Sequence, residues 1–159
     1  IAGGAEAWLV ATELAAAKAA VVLDPLVNLP ASFDALGARL DNAARLQRAG
    51  VVVVFSMTGL APHFAHKVRQ SAGNAVAHGM PWDAALAGLT ANPAAVFGLG
   101  ASRGRIETGM VADLVLWNGD PLEVTSAADQ VWVGGKPMSM RSRQTELLDR
   151  YLPQAARQP

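Results

Sequence analysis

The side chains able to do chemistry are few, and most lie in the first half of the chain. The sequence holds three histidines and no cysteine, which excludes disulfides and thiolate metal sites. His63 and His66 stand three apart, so on a helix both imidazoles share a face. One reading makes them metal ligands or substrate contacts. The other makes them solvated residues at a helix start, since two ligands without a third form a poor metal site. His78 precedes Gly79 near an expected helix C-terminus, where the backbone dipole favours a cation, and reads as structural. Asp24 precedes Pro25 directly after an apolar run. It is either a substrate contact or the opening residue of an Asp-Pro turn. Glu6 either faces a ligand or serves as a first-turn helix acid. Arg69 can grip a substrate carboxylate through two parallel N–H groups or lie on a solvated helix face. The tryptophans at 8, 82, 117 and 132 read as core or interface residues.

These residues must be placed by the elements around them. Ala5 to Lys18 is rich in Ala, Leu and Glu and predicts a helix. Ala19 to Leu23 predicts a short buried strand ending at Asp24-Pro25. A helix is expected next, with Leu36, Leu40, Ala43 and Leu46 on one face and Arg39, Asn42, Arg45 and Arg48 largely elsewhere. Gly50 is a natural stop before the strand Val51 to Phe55. That strand has no polar alternation, which argues for a parallel sheet covered on both faces. Helix, strand, helix, strand is the pattern of βαβ units, so the fold class is α/β. His63 to His78 predicts a helix weakened by Gly73. Pro81 opens a short helix through Leu89, and Asn92 to Gly98 reads as another, with Asn92 as its cap. After Gly98 the chain turns β-rich, with strands at Ala112 to Trp117 and Val131 to Val133 and a turn at Asn118-Gly119. Arg141 to Leu152 predicts a closing helix, and Pro153 to Pro159 a loose tail.

Composition sets bounds on partners. Apolar residues make up 52% of the 159 positions against 16% charged, enough to bury a core and more than so few charges usually accompany. The 13 basic and 13 acidic residues cancel, so nothing steers the chain toward nucleic acid or an anionic membrane. No apolar run approaches the roughly 20 residues of a membrane helix. The compartment stays open.

Three blocks carry a family resemblance. Thr90-Ala91-Asn92-Pro93-Ala94 through Gly98-Leu99 resembles the T-x-N-P-A-x-x-x-G-L helix of metal-dependent amidohydrolases. Gly104 to Trp117 resembles the strand pair that follows that helix, and Asn118 to Leu122 with Val131 to Gly134 continues the match. Upstream segments are similar to the imidazolonepropionase and prolidase-like branch. The resemblance implies a partial (β/α)8 TIM-type barrel, from the end of its sixth strand through its eighth helix, with the C-terminal part of a small β-sandwich. On that reading residues 1–98 are barrel, 99–140 sandwich, and 141–159 the closing helix and tail.

The resemblance also implies chemistry. The family's hydrolases bind a divalent metal, typically zinc, which lowers the pKa of a bound water, and a carboxylate after the last barrel strand ligates the metal and handles the proton. Here that strand leads into Phe55-Ser56-Met57-Thr58-Gly59. Met57 or Thr58 stands where the Asp is expected, and neither can act as a general base near neutral pH. No catalytic residue is therefore assigned. The expectation is a C-terminal piece of an amidohydrolase-family protein, nominally acting on non-peptide C–N bonds or dipeptides, inactive alone and binding no metal itself. Glu6, Asp24 and Arg69 are its candidate substrate contacts, and His63 and His66 its candidate metal contacts. The alternative is a non-catalytic barrel relative that binds a small molecule or a protein. Open strand edges predict a homo-oligomer or a complex with the missing N-terminal half.

Overall fold

The computed structural model describes residues 1–27, 29–30, 32–57 and 62–155. A short 3-10 helix, Ala7–Val10, runs into α1, Ala11–Ala16. Strand β1, Val21–Leu23, follows, then a loop holding a 3-10 turn at Phe33–Ala35. Helix α2, Asn42–Arg48, leads to β2, Val53–Phe55. A 3-10 helix, Pro62–Lys67, opens into α3, Val68–Ala77, and α4, Trp82–Leu89, and α5, Ala91–Val96, come next. The chain then forms β3, Leu114–Trp117, β4, Ala128–Val133, and β5, Lys136–Pro137, before α6, Arg143–Ala155.

Strands β1 and β2 pair in parallel, with Val21 opposite Val53 and Leu23 opposite Phe55. Residues 1–3 extend this array along the other edge of β1. Ala2 bridges Val22 in parallel, Val22 N donates to Ile1 O at 2.8 Å, and Gly3 N donates to Val22 O at 2.9 Å. Parallel strands need a crossover and cover on both faces. The crossover is α2, and the cover is a continuous core. Val21, Leu46, Ala72 and Ala85 are fully buried, and Val53, Val54 and Phe55 nearly so. The apolar run without alternation signalled this buried pair, but the strand spans only Val53–Phe55, and Val52 within the run is 42% exposed.

The second sheet is separate and antiparallel, in the order β3-β4-β5. Its strands are only half covered, and Val115, Leu116 and Val133 are exposed. The Asn118-Gly119 dipeptide does not make the expected tight hairpin. Asn118 instead staples the two ends of a longer loop. Its N–H donates to Ala127 O at 3.1 Å, and its Oδ1 accepts from Ala127 N at 2.9 Å. The register shifts between Leu116 and Trp117 beside it.

Helix boundaries depart from the periodicity in instructive ways. Helix α2 begins at Asn42, and Leu36 and Leu40 are 65% and 44% exposed. The apolar spacing continues upstream over residues that are not helical. Asn92 does not cap α5, which starts at Ala91 with Thr90 before it. The Asn92 amide reaches across and donates to Val53 O at 2.8 Å, tying α5 to the start of β2. The 13 residues of α6 run on through Ala155, beyond the expected helix end, and residues 156–159 lie outside the described residues.

Gly73 costs α3 helix propensity, yet α3 forms. The reason is close packing: a Cβ at this position would press into the backbone carbonyl of Leu122. Gly88 plays the same part against β2, where a Cβ would meet the Phe55 ring at 2.9 Å. Replacing Gly73 with Ala should therefore destabilise the protein by about 1–3 kcal/mol, the range for overpacking, despite the better helix former. Urea denaturation measures this. A stability equal to or above that of the parent would show that the α3–Leu122 approach is not tight.

Candidate functional site

Because β1, β2 and residues 1–3 run parallel, their carboxyl ends come out on one side of the molecule. Gly3-Gly4, Asp24 and Ser56-Met57 lie there. A small cavity of about 110 Å³ opens at these ends, lined by Gly3, Gly4, Ala5, Leu23, Asp24, Val27 and Asn42. Asp24 is only 7% exposed. Its Oδ1 accepts the N–H of Leu26 at 3.0 Å, which makes the expected turn at Pro25. The same residue thus opens the turn and lines the cavity.

The wall opposite Asp24 is held by a residue that periodicity placed off the apolar face. Asn42 is 6% exposed. Its Nδ2 donates to Gly4 O at 2.9 Å, and its Oδ1 accepts from Trp8 N at 3.1 Å. One buried amide therefore fixes two points of the segment that leaves the first strand, satisfying groups that are costly to bury unpaired. Only Asn or Gln offers both a donor and an acceptor in this way. Two alanines follow it, so the sequence showed a polar position in the first turn of α2 and nothing of its reach.

Glu6 takes part in the same brace. Its Oε1 accepts the N–H of Gly37, while Trp8 Nε1 donates to Gly37 O at 2.7 Å. The loop before α2 is thereby pinned on both sides of one residue. Above the Trp8 ring lie the guanidinium groups of Arg39 and Arg45, 5.2 and 5.0 Å from its centroid. Asp41 pairs with both arginines, at 2.7 and 2.8 Å. The hydrogen bond from Arg39 is the main reason its carboxyl is held well below the usual carboxylate range, with Arg45 adding to it.

The other sequence candidates lie elsewhere. Arg69 sits on α3 and turns toward the second sheet. It donates to the carbonyls of Pro121 at 2.9 Å, Glu123 at 2.5 Å and Ser126 at 2.9 Å. Its guanidinium also covers the Trp117 ring at 4.8 Å. Trp82 holds the same loop from α4, donating through Nε1 to the Asp120 carboxylate at 2.9 Å. Arg69 thus braces the loop between β3 and β4, and the structure does not bring it to the cavity. Asp113 bonds the Gly134 N–H at 2.8 Å and pairs with Arg103, fixing the turn before its strand. His66 is exposed in the 3-10 helix that also contains His63, where positions three apart eclipse. The side chain of His63, and Thr58 as a whole, lie outside the described residues. Met57 is half-buried at the end of β2. His78 ends α3, its N–H donating to the carbonyls of Asn74 and Ala75 at 3.2 Å.

Residues 40–138 match the sequence profile of the amidohydrolase family, and the chain belongs to that family. Over 58 residues it is 47% identical to Amidohydrolase tasK from Hapsidospora irregularis, a match covering 36% of this chain and 6% of that protein. The crystal structure of an amidohydrolase from Thermotoga maritima superposes with a TM-score of 0.79 at 30% identity, covering 89% of this chain and 37% of that one. A prolidase complexed with N-methylphosphonate-L-proline shares the fold, with a TM-score of 0.59 at 18% identity over 84% of this chain and 38% of the prolidase. The chain therefore spans well under half the length of these proteins. The family commonly uses zinc or another divalent metal. Among the described residues, no group of three His, Cys, Asp or Glu side chains could hold such an ion.

The brace around Asn42 makes a direct prediction. Asn42→Leu keeps the volume, but leaves the part-buried Trp8 N without this acceptor and takes from Gly4 O one of its two donors, the Ala7 N–H remaining. It should destabilise the protein by about 1–3 kcal/mol, mostly from the unmade Trp8 N–H bond. Chemical denaturation checks this, and a loss below about 0.5 kcal/mol, the scatter of an ordinary surface substitution, would show that the amide does not hold this wall.

Proposed function

We propose that this chain supplies the closing part of an amidohydrolase-family hydrolase acting on C–N bonds of small cyclic amides or dipeptides. On this reading β1 and β2 are consecutive late strands of a (β/α)8 barrel, residues 1–3 end the strand before them, and β3 to β5 belong to a flanking sandwich. The observation that carries it is the cavity at the carboxyl ends of parallel strands, bordered by Asp24, in a chain of this family. Barrel enzymes place their chemistry at that end. The metal ligands would belong to a preceding segment, and this chain alone would be inactive. Its own residues shape the site. Asn42 and Glu6 hold the loops, and Asp24 presents a buried carboxylate.

Exposed apolar residues support an association. Leu9, Val10, Leu26, Leu29, Phe33 and Leu36 are all open to solvent, which is more than an isolated surface usually carries. The preceding barrel segment, or a second copy, is the proposed cover.

A second reading is favoured by one observation. The segment after β2 reads Ser56-Met57-Thr58-Gly59, without the carboxylate that the family's mechanism uses. A non-catalytic relative that binds a small molecule or protein would show this pattern.

One experiment separates the readings. A longer protein containing this sequence is assayed for metal content and for hydrolysis of cyclic amides and dipeptides, with Thr58→Asp alongside. The hydrolase reading expects bound metal and turnover by the longer protein, and none by the 159-residue chain. An inert, metal-free longer protein that gains hydrolysis with Thr58→Asp supports the non-catalytic reading. One that stays inert with Asp restored contradicts the hydrolase assignment altogether.

A further inference from the structure

The cavity beside Asp24 has an electrostatic character that the fold does not require. Of the described residues that line it, Asp24 alone is ionisable. It is 93% removed from solvent, and no ion pair to it exists among the described residues. One carboxylate oxygen serves the turn through Leu26 N–H, and no donor from the described residues reaches the other. A buried carboxylate normally has a cation or several N–H groups beside it, because desolvating its charge is costly. Here the remaining wall is Gly3, Gly4 and Ala5, with Leu23 and Val27 completing an apolar lining and Asn42 already bonded on both sides. Gly and Ala leave space where longer side chains would fill it, and the space amounts to about 110 Å³.

We propose that this cavity is a binding site for a small alkylammonium group, with the Asp24 carboxylate as its anchor and Leu23 and Val27 against its carbon atoms. The ligand carries the positive charge that is absent from the described lining. Its N–H groups satisfy the open carboxylate oxygen in a charge-assisted bond, among the stronger hydrogen bonds in proteins. A divalent metal is not the favoured occupant, because a single carboxylate among the described residues offers too few ligands for one. The site deepens the hydrolase reading by assigning the amino end of an amine-bearing substrate to Asp24. It rests on that reading for its use, and on this chain alone for its existence.

The test is a binding measurement that needs no turnover. Ethylammonium chloride is titrated into the isotopically labelled 159-residue chain and followed by NMR, with potassium chloride, magnesium chloride and ethanol as controls. Shifts are expected at Gly3, Gly4, Leu23 to Leu26 and Asn42 with ethylammonium alone. Asp24→Asn keeps the acceptor for Leu26 N–H and so keeps the turn, but removes the charge. It should weaken binding about tenfold or more, as loss of a charge-assisted contact does. Val27→Trp, at a half-exposed rim position, leaves the carboxylate and blocks the cavity, and should also abolish the shifts. Equal responses to ethylammonium and potassium, a stronger response to magnesium, or undiminished binding by Asp24→Asn would each overturn the proposal. The same titration on the longer protein decides the matter if the shorter chain gives no dispersed spectrum. In the longer protein, binding without hydrolysis even with Thr58→Asp leaves the site standing and removes the hydrolase reading; hydrolysis without ethylammonium binding does the reverse.

Discussion

The parallel pairing of β1 with β2 is the constraint on which the rest of this structure depends. Two short strands of Val, Leu and Phe pair only if the intervening chain crosses over and helices shield them from water. Leu46 on α2, Ala72 on α3 and Ala85 on α4 are all fully buried in that shield. The helices must also come close. That need explains Gly88 against Phe55, and Asn92 donating to the Val53 carbonyl. It also explains why the alanine-rich helices have modest faces: small residues let a helix approach a strand, and the energy comes from area removed from water rather than from individual large side chains.

Parallel strands have a second consequence, which is directional. All their carboxyl ends emerge together, so loops of distant sequence meet there. Gly3-Gly4, Asp24 and Asn42 line one cavity because the strands put them in one place. Backbone groups leaving a strand lose their ladder partners, and each must find another. Asn42 meets that demand for Gly4 and Trp8, and Glu6 with Trp8 meets it for Gly37. Beside the second sheet, Arg69 does the same for the carbonyls of Pro121, Glu123 and Ser126. Both regions are therefore built from single polar side chains that each satisfy several backbone groups.

This division decides what could be read from the sequence. The α/β class was legible, because runs such as Val51 to Phe55 have only one comfortable environment. The family was legible because Asn92-Pro93, Gly104 and the Asp113 strand serve the scaffold. A Cβ at Gly104 would lie 2.8 Å from Thr90 O, and its φ is +92°. The partnerships of Asn42, Glu6 and Arg69 were not legible, since they join residues 31 to 57 positions apart through side chain to backbone bonds, and no periodicity encodes those. Leu36 and Leu40 misled for the opposite reason. Their spacing fits a helical stripe, yet α2 starts only at Asn42. Asp24 shows a limit of another kind. Its turn was foreseen, and that role does not exclude the cavity it borders.

On the proposed reading this chain brings late barrel strands and the buried Asp24 carboxylate to an amidohydrolase-type site, and the metal ligands come from elsewhere. The exposed His66, its neighbour in sequence His63, and the uncharged Met57-Thr58 pair are the residues that could contradict it. Calorimetric titration of zinc into the 159-residue chain tests this most directly. No stoichiometric uptake is expected. One zinc per chain, bound tightly and lost when His66 is replaced by Ala, would contradict it and return the histidines to the site.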